Sequence, residues 1–393
     1  MASEFFSLES STPWILESYF SDQVGRLLIH TNTAIKVPLN RMNLNYFMKP
    51  NPTIKDIALA AKVSAGAVSL ALNNRSGVSE KTRRKIQKIA RKMDYRPNSA
   101  AKRLIGQPSH TIGLILRNIA DPFFPELALG VEEKATEMGY SLLLCNTNGT
   151  LEKEKQALDA LRAKGVDGVI LSTVTVDDPN IQPLIDADIP FVCVNRFVMD
   201  PSIESKTDYV VLDNYACGYE GMRHLLRLGL ERIAILTGDL NTSTAALRRQ
   251  GEQDALAAFQ VTLDPKLVKE CSWSRKRAFD AAKHLLGLKE RPEAFFVHDD
   301  HMALGVREAV LGMGLRIPED VALLGIDDIE MASLTGVDLS TISQKKYDMG
   351  VMGTKILIDK IEGNTPRLVN KIMLEPRLMI RKTCGFHLKG YVR

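Results

Sequence analysis

The chain has 393 residues, is 45% apolar and 25% charged, and carries a formal net charge of +4. That is enough to bury a large core in two or three domains, and no run approaches the roughly eighteen consecutive apolar residues of a membrane helix. The five cysteines, at 145, 193, 217, 271 and 384, are odd in number and scattered, which suggests neither a disulfide framework nor a zinc site; Cys145 and Cys193 sit in apolar runs that suit buried thiols in a reducing cytoplasm.

Residues 1–47 contain neither a basic leader nor a long apolar segment, which argues against a secretory signal. Met48 looks like a natural start, and the 47 residues before it are expected to be a largely disordered extension, Trp14 to Phe20 being the stretch able to form a short helix.

From Thr53 the pattern changes. Ile54, Ile57, Ala58 and Ala61 fall at helical period on one apolar face, Ser64 is placed to cap a second helix, and Val68 and Leu72 turn inward from it. Two short helices joined by a tight turn form a helix-turn-helix. Ala65, Gly66, Ser69 and Leu70 are left outward at the end that would enter a major groove. A third helix begins after Ser79, with Glu80 complementing its N-terminal dipole and Ile86, Ile89, Ala90 and Met93 facing inward, until Arg96-Pro97 ends it. Pro52 to Gln107 holds thirteen Lys or Arg against three acidic residues, a net of +10, so the rest of the chain carries −6. A solvated basic helix would give such a run too, but the asymmetry joined to the helix-turn-helix points to a nucleic-acid-binding module on a body with another task. Asn98 to Ile105 has helical propensity over only about two turns, marginal on its own.

Beyond His110 short apolar runs alternate with amphipathic helices: strands are expected at Thr111–Leu116, Tyr140–Cys145, Gly168–Ser172, Phe191–Asn195, Arg232–Leu236, Ala294–His298 and Val321–Ile326. Such alternation means right-handed crossovers and parallel sheets. Tyr209 to Asp213 restarts the series near the midpoint, which suggests two similar lobes in tandem.

The string T-I-K-D-I-A-L-A-A-K-V-S-A-G-A-V-S-L-A-L-N, followed by V-S-E-K-T-R-R-K-I and Y-R-P-N-S-A-A-K-R-L, closely resembles the lactose-repressor (LacI/GalR) family of bacterial transcriptional regulators, and the similarity runs on to about Glu375. It implies an all-α helix-turn-helix domain over 52–97, a hinge helix over 98–106, a two-lobed α/β body of the type I periplasmic-binding-protein kind over 110–380 with chain crossings near 211, 340 and 365, and a tail over 381–393. It implies DNA contacts from Thr53, Ile54, Ser64, Ala65, Gly66, Ala67, Ser69, Leu70 and Asn73. Asn98, Ala101, Lys102 and Leu104 would follow from the hinge helix, where Leu104 either wedges between base steps of the minor groove or packs on the body. The implied partners are double-stranded DNA with a pseudo-palindromic operator, a second copy of the chain, and a small-molecule effector, a sugar or sugar derivative, with no cofactor, metal or membrane.

For the effector the resemblance implies Phe124, Arg196, Asp213, Arg248, Trp273 and Asp300, an arginine fork and carboxylates for hydroxyls and aromatic faces for the ring. Each also has a purely structural reading: Phe124 as core, Trp273 as a cap on a lobe surface, Asp213 as part of the interlobe hinge. The chain departs from the family at Leu70, usually Arg or His, at Gly66, at Ala67, usually Thr, at Glu252, usually Phe, and at Lys345, usually Pro. A transporter-associated sugar receptor would share the body but lack the helix-turn-helix. An enzyme on the same lobes would need a phosphate loop or a nucleophile elbow, and the sequence has no G-x-G-x-x-G, P-loop or G-x-S-x-G. His298 and His301 flank Asp299 and Asp300 but have no further ligand at metal-binding spacing.

Overall fold

The computed structural model describes residues 52–95, 108–364 and 368–389, which fall into two compact units. Asn98, Ala101, Lys102 and Leu104, with the rest of the expected hinge helix, lie outside the described residues, as do residues 1–47.

The first unit contains α1 (Ile54–Ala61), α2 (Ala65–Leu72) and α3 (Glu80–Lys92). Thr53 opens α1 with a capping box: its hydroxyl accepts from the Asp56 N–H, and the Asp56 carboxylate accepts from the Thr53 N–H at 2.7 Å. Lys62 ends the helix in the left-handed region, at φ 55°. Ser64 and Ser79 cap α2 and α3 through the N–H groups of Ala67 and Thr82. The core is Ile57, Ala58, Ala61, Val68, Ala71, Ile86 and Ala90. On α2 the fully buried pair is thus Val68 and Ala71, while Leu72, expected to turn inward, is half-buried against that core. Two basic residues of α3 are committed inside the unit. Lys85 donates to the Ala61 carbonyl at 2.8 Å, and Arg83 donates to the carbonyls of Leu70, Ala71 and Arg75, so both close the C-terminal ends of the preceding helices.

The body runs β1 (Thr111–Leu116), α4 (Phe123–Glu137), β2 (Ser141–Asn146), α5 (Leu151–Lys164), β3 (Gly168–Leu171), α6 (Ile181–Asp186), β4 (Phe191–Val194), α7 (Pro201–Glu204) and β5 (Tyr209–Leu212). It continues through α8 (Asn214–Arg227), β6 (Ile233–Thr237), α9 (Ser243–Ala258), β7 (Val268–Glu270), α10 (Arg275–Leu286), β8 (Ala294–Val297), α11 (Asp300–Gly312), β9 (Ala322–Asp327) and β10 (Ser340–Ser343), and ends with α12 (Lys346–Ile361), β11 (Lys371–Leu374) and β12 (Arg377–Met379). The strands form two six-stranded sheets, ordered β11-β5-β4-β3-β1-β2 and β12-β10-β9-β8-β6-β7. Every pairing is parallel except β10 with β12. Strands such as Phe191–Val194 and Ala294–Val297 are buried along their whole length, as expected of a sheet covered by helices on both faces.

The chain passes between lobes after Leu212, after Ser343 and between Leu374 and Arg377. The last passage falls later than 365, because β11 first completes the outer edge of the first sheet beside β5. Residues 381–389 fold onto the second lobe: Thr383 Oγ1 donates to the Leu323 carbonyl at 2.8 Å, and Cys384 is buried.

Candidate functional site

A half-open cleft, with about 300 Å³ of space when the solvent at its mouth is included, lies between the lobes of the body, at the C-terminal ends of the parallel strands. The lobes touch beside it, with the Val176 N–H donating to the Asn241 carbonyl at 3.0 Å and the Phe197 N–H to Ser243 Oγ at 3.1 Å. The first lobe contributes Arg117 and Asp121 after β1, Phe123 and Phe124 at the start of α4, and Asn195 and Arg196 after β4. From the second come Thr244 and Arg248 on α9, Trp273 after β7, Asp299 before α11 and Asp327 at the end of β9, with Gln344 at the second crossing.

Trp273 fills the middle. The guanidinium groups of Arg196, Arg248 and Arg117 lie 5.4, 5.9 and 6.0 Å from its ring, within cation–π range. Its backbone is left-handed, at φ 62°, a strained conformation for a bulky residue. The indole lies so close to Gly238 that a Cβ there would come within 2.1 Å of it, so only glycine leaves the ring its place. Asn195 and Asp327, at φ 68° and 128°, also have positive φ. Backbone strain gathered in one cleft is a mark of a functional site.

The arginines are held unequally. Arg117 is paired with Asp121, which also accepts from the Phe123 N–H. Arg248, 2% exposed, donates from Nε to Asn214 Oδ1 at 2.8 Å and from a terminal nitrogen to the His298 carbonyl. Its place depends on Gly218, where a Cβ would come within 1.9 Å of the Arg248 carbonyl oxygen; the glycine lets α8 and α9 approach. Arg196 is 5% exposed, and its one hydrogen bond among the described residues is a 3.4 Å contact to the Thr173 carbonyl. Burial and the neighbouring charges of Arg117 and Arg248 bring its pKa down to about 9. Burial, reinforced by Asp121, pushes Asp299 up to about 7, and burial and Asp299 drive Asp327 well above the usual carboxylate range.

Behind this wall lies a buried pair. The Gly238 N–H donates to His298 Nδ1 at 3.4 Å, which leaves the proton on Nε2 to donate to Glu252 Oε1 at 2.8 Å. Burial holds His298 below its ordinary pKa, and Arg249 pairs with Glu252 at 3.2 Å. His298 is therefore a support beneath Gly238, and His301 is half-buried at the start of α11.

Of the residues expected at the ligand, Phe124, Arg196, Arg248 and Trp273 line the cavity, whereas Asp213 and Asp300 do not. Asp213 caps α8, accepting from the Ala216 N–H at 2.8 Å. Asp300 is fully buried on the sheet side, accepting from the Ile329 N–H at 3.1 Å and Thr341 Oγ1 at 2.6 Å. Of the pair Asp299 and Asp300, the one that lines the cleft is Asp299, which as the extended N-cap precedes the helical turn. Sequence reading also passed over Arg117, Asn195, Thr244, Asp327 and Gln344; Arg117, Asn195 and Asp327 stand just after an apolar strand or at its end, the signal that could have found them, whereas Thr244 lies on a helix and Gln344 follows the hydroxyl-rich β10.

In the helical unit, Ala65, Gly66 and Asn73 are exposed, and Ala67, Ser69 and Leu70 half-exposed. Thr53, Ser64 and Ile54 lie at the N-terminal turns of their helices, both hydroxyls accepting backbone N–H groups.

Two family models match the chain: bacterial regulatory proteins of the lacI family over residues 53–98, and the periplasmic binding proteins and sugar binding domain of the LacI family over 109–372. The HTH-type transcriptional repressor PurR of Haemophilus influenzae (strain PittEE) is 32% identical over 335 residues, 84% of this chain and 98% of that protein. The ribose operon repressor of Halalkalibacterium halodurans is 32% identical over 331 residues, 84% of this chain and 96% of its own length. Among solved structures, the lac repressor dimer bound to operator and the anti-inducer ONPF superposes with a TM-score of 0.74 at 28% identity, covering 85% of this chain and 99% of that one. A transcriptional regulator CelR–cellobiose complex gives 0.65 at 29% identity, covering 85% and 100%.

Proposed function

The chain belongs to the LacI family of bacterial regulatory proteins, and from that premise we propose that it is a cytoplasmic, non-enzymatic transcriptional repressor whose operator affinity is switched by a small metabolite held between the lobes of its body. The observation that carries the reading is the presence in one chain of a capped helix-turn-helix with an exposed α2 N-terminus and a polar, strained cavity walled by both lobes. Two copies would meet a pseudo-palindromic operator, each placing α2 in a major groove. Long polar side chains are absent from the first turn of α2, where Ala65, Gly66 and Ala67 stand, so hydrogen bonding to base edges falls to Ser69 and Asn73, and backbone and groove shape carry much of the remainder.

A ligand touching Arg196 and Phe124 from one lobe and Arg248 and Trp273 from the other is sensitive to the angle between them. It can move operator affinity only by as much as it binds one lobe arrangement better than the other, typically a factor of roughly 5 to 150. Arg248→Ala removes one anchor and leaves the helical unit untouched. The mutant should bind operator normally in gel-shift titrations and lose its response to effector; a full response would take Arg248 out of the switch.

A further inference from the structure

Five polar atoms of the cavity wall have no hydrogen-bond partner among the described residues: Arg117 Nε, Arg196 Nε, Trp273 Nε1, Asp299 Oδ2 and Gln344 Oε1. Buried polar groups left this way are costly unless something arrives to satisfy them. Three are donors, and two of those belong to guanidinium groups. The cationic and anionic sides are not balanced. Asp121 is already taken by Arg117 and the Phe123 N–H, and Asp327 accepts from Gln344. Asp299 holds its proton up to about pH 7. Arg248 gives two of its donors to a neutral amide and a carbonyl, and Arg196, with a pKa of about 9, remains charged at neutral pH with one distant carbonyl as hydrogen-bond partner, Asp239 and Asp121 acting on it without forming an ion pair. A buried cation without a counterion is strongly unfavourable, and the planar guanidinium is suited to a carboxylate or phosphate.

Resting on the reading of this cleft as the effector site, we propose that the effector is an anion, a small polyol bearing one carboxylate or phosphate group, with the charged group held by Arg196 and the sugar face set against Trp273. Asp299 and Gln344 then take hydroxyls, Asp299 accepting from them as a carboxylate or donating to them as an acid.

Matched series test this: glucose against glucuronate and glucose 6-phosphate, and ribose against ribonate and ribose 5-phosphate, each measured by thermal shift and calorimetry on the full-length protein. At least one anion should raise Tm while its neutral parent does not, and the responding series separates carboxylate from phosphate. Arg196→Gln should weaken that anion on the order of 100-fold, and Arg196→Lys should retain part of the affinity. Because Arg196 forms no ion pair among the described residues, Arg196→Gln should not lower the Tm of the unliganded protein, so lost binding will not be confused with unfolding. A neutral parent that binds as tightly as its anion, an anion whose affinity is unchanged by Arg196→Gln, or silence from every anion in both series would each overturn the assignment. In the first two cases the cleft reading stands if Trp273→Ala abolishes the binding, and it falls as well if binding survives both substitutions.

Discussion

Asp299 is a helix cap and a cleft wall at once, and these places pull its proton in opposite directions. The Met302 N–H favours the carboxylate, while burial and the charge of Asp121 favour the acid and win, bringing the pKa to about 7 from an ordinary 3.8. A carboxyl raised on folding contributes stability that is whole below its unfolded value and is lost as pH rises through the folded one, here between about 4 and 7. Asn retains the cap and abolishes the titration, so Asp299→Asn should be close to neutral near pH 4 and stabilise the unliganded protein by on the order of 2 to 4 kcal/mol at pH 8. Thermal melts across that range check it; an offset independent of pH would mean that the acid is not held protonated. The same residue marks where sequence reading stopped short. Arg196, Arg248 and Trp273 were legible through the family resemblance, but the choice between Asp299 and Asp300 turns on the residue at which an extended backbone becomes helical, since the two side chains leave on opposite sides. Composition holds no record of that one-residue register.

At the scale of elements, the strands read from sequence were those with apolar runs, buried on both faces except for the edge strand β2, and those missed were polar or edge strands. β10 is Ser-Thr-Ile-Ser, buried yet hydroxyl-rich because Thr341 and Ser340 bond to Asp300 and Arg381, and β7 lies half-exposed at the edge of its sheet. The helix after β10 carries a further device that its pattern did not announce. Lys346, the first residue of α12, is 2% exposed; its ammonium donates to the carbonyls of Asp327 at 2.6 Å and Asp328 at 3.1 Å and lies 3.1 Å from the Glu126 carboxylate of α4. One cation thus joins the end of β9 in the second lobe to α4 in the first. Lys346→Met should cost on the order of 2 to 4 kcal/mol through the orphaned acceptors and loosen the lobes, read as a lower Tm and a changed effector midpoint; an unchanged midpoint with a lowered Tm would confine Lys346 to stability. In the segment joining the two units, Leu104→Ala should weaken operator binding by a few kcal/mol if Leu104 wedges into the minor groove. Effector affinity should stay as it was, and equal operator affinity would assign Leu104 to packing.

For the whole molecule, the basic module and the acidic body predict how binding answers to salt. With Arg83 and Lys85 occupied by carbonyls, fewer of the module's cations reach phosphate than its net charge suggests. A dimer making on the order of eight contacts would give a slope of log K against log salt near −7, and Lys85→Met, which removes an ammonium engaged by the Ala61 carbonyl, should leave that slope unchanged while destabilising the helical unit. Operator titrations at several salt concentrations measure both; a slope near zero would be incompatible with DNA binding. The three chain crossings carry a consequence of another kind. The second lobe is an uninterrupted stretch through β10, closed by β12, whereas the first lacks α12 and its edge strand β11 until nearly all of the chain has been made. On the ribosome the portion translated earlier is therefore the one completed later: β5 emerges with an open edge and waits through well over a hundred residues for its neighbour. Such an edge is exposed to misassociation during synthesis, so a nascent chain arrested just after β10 should draw chaperones to its first lobe, and release of the last fifty residues should end that attachment in one cooperative step.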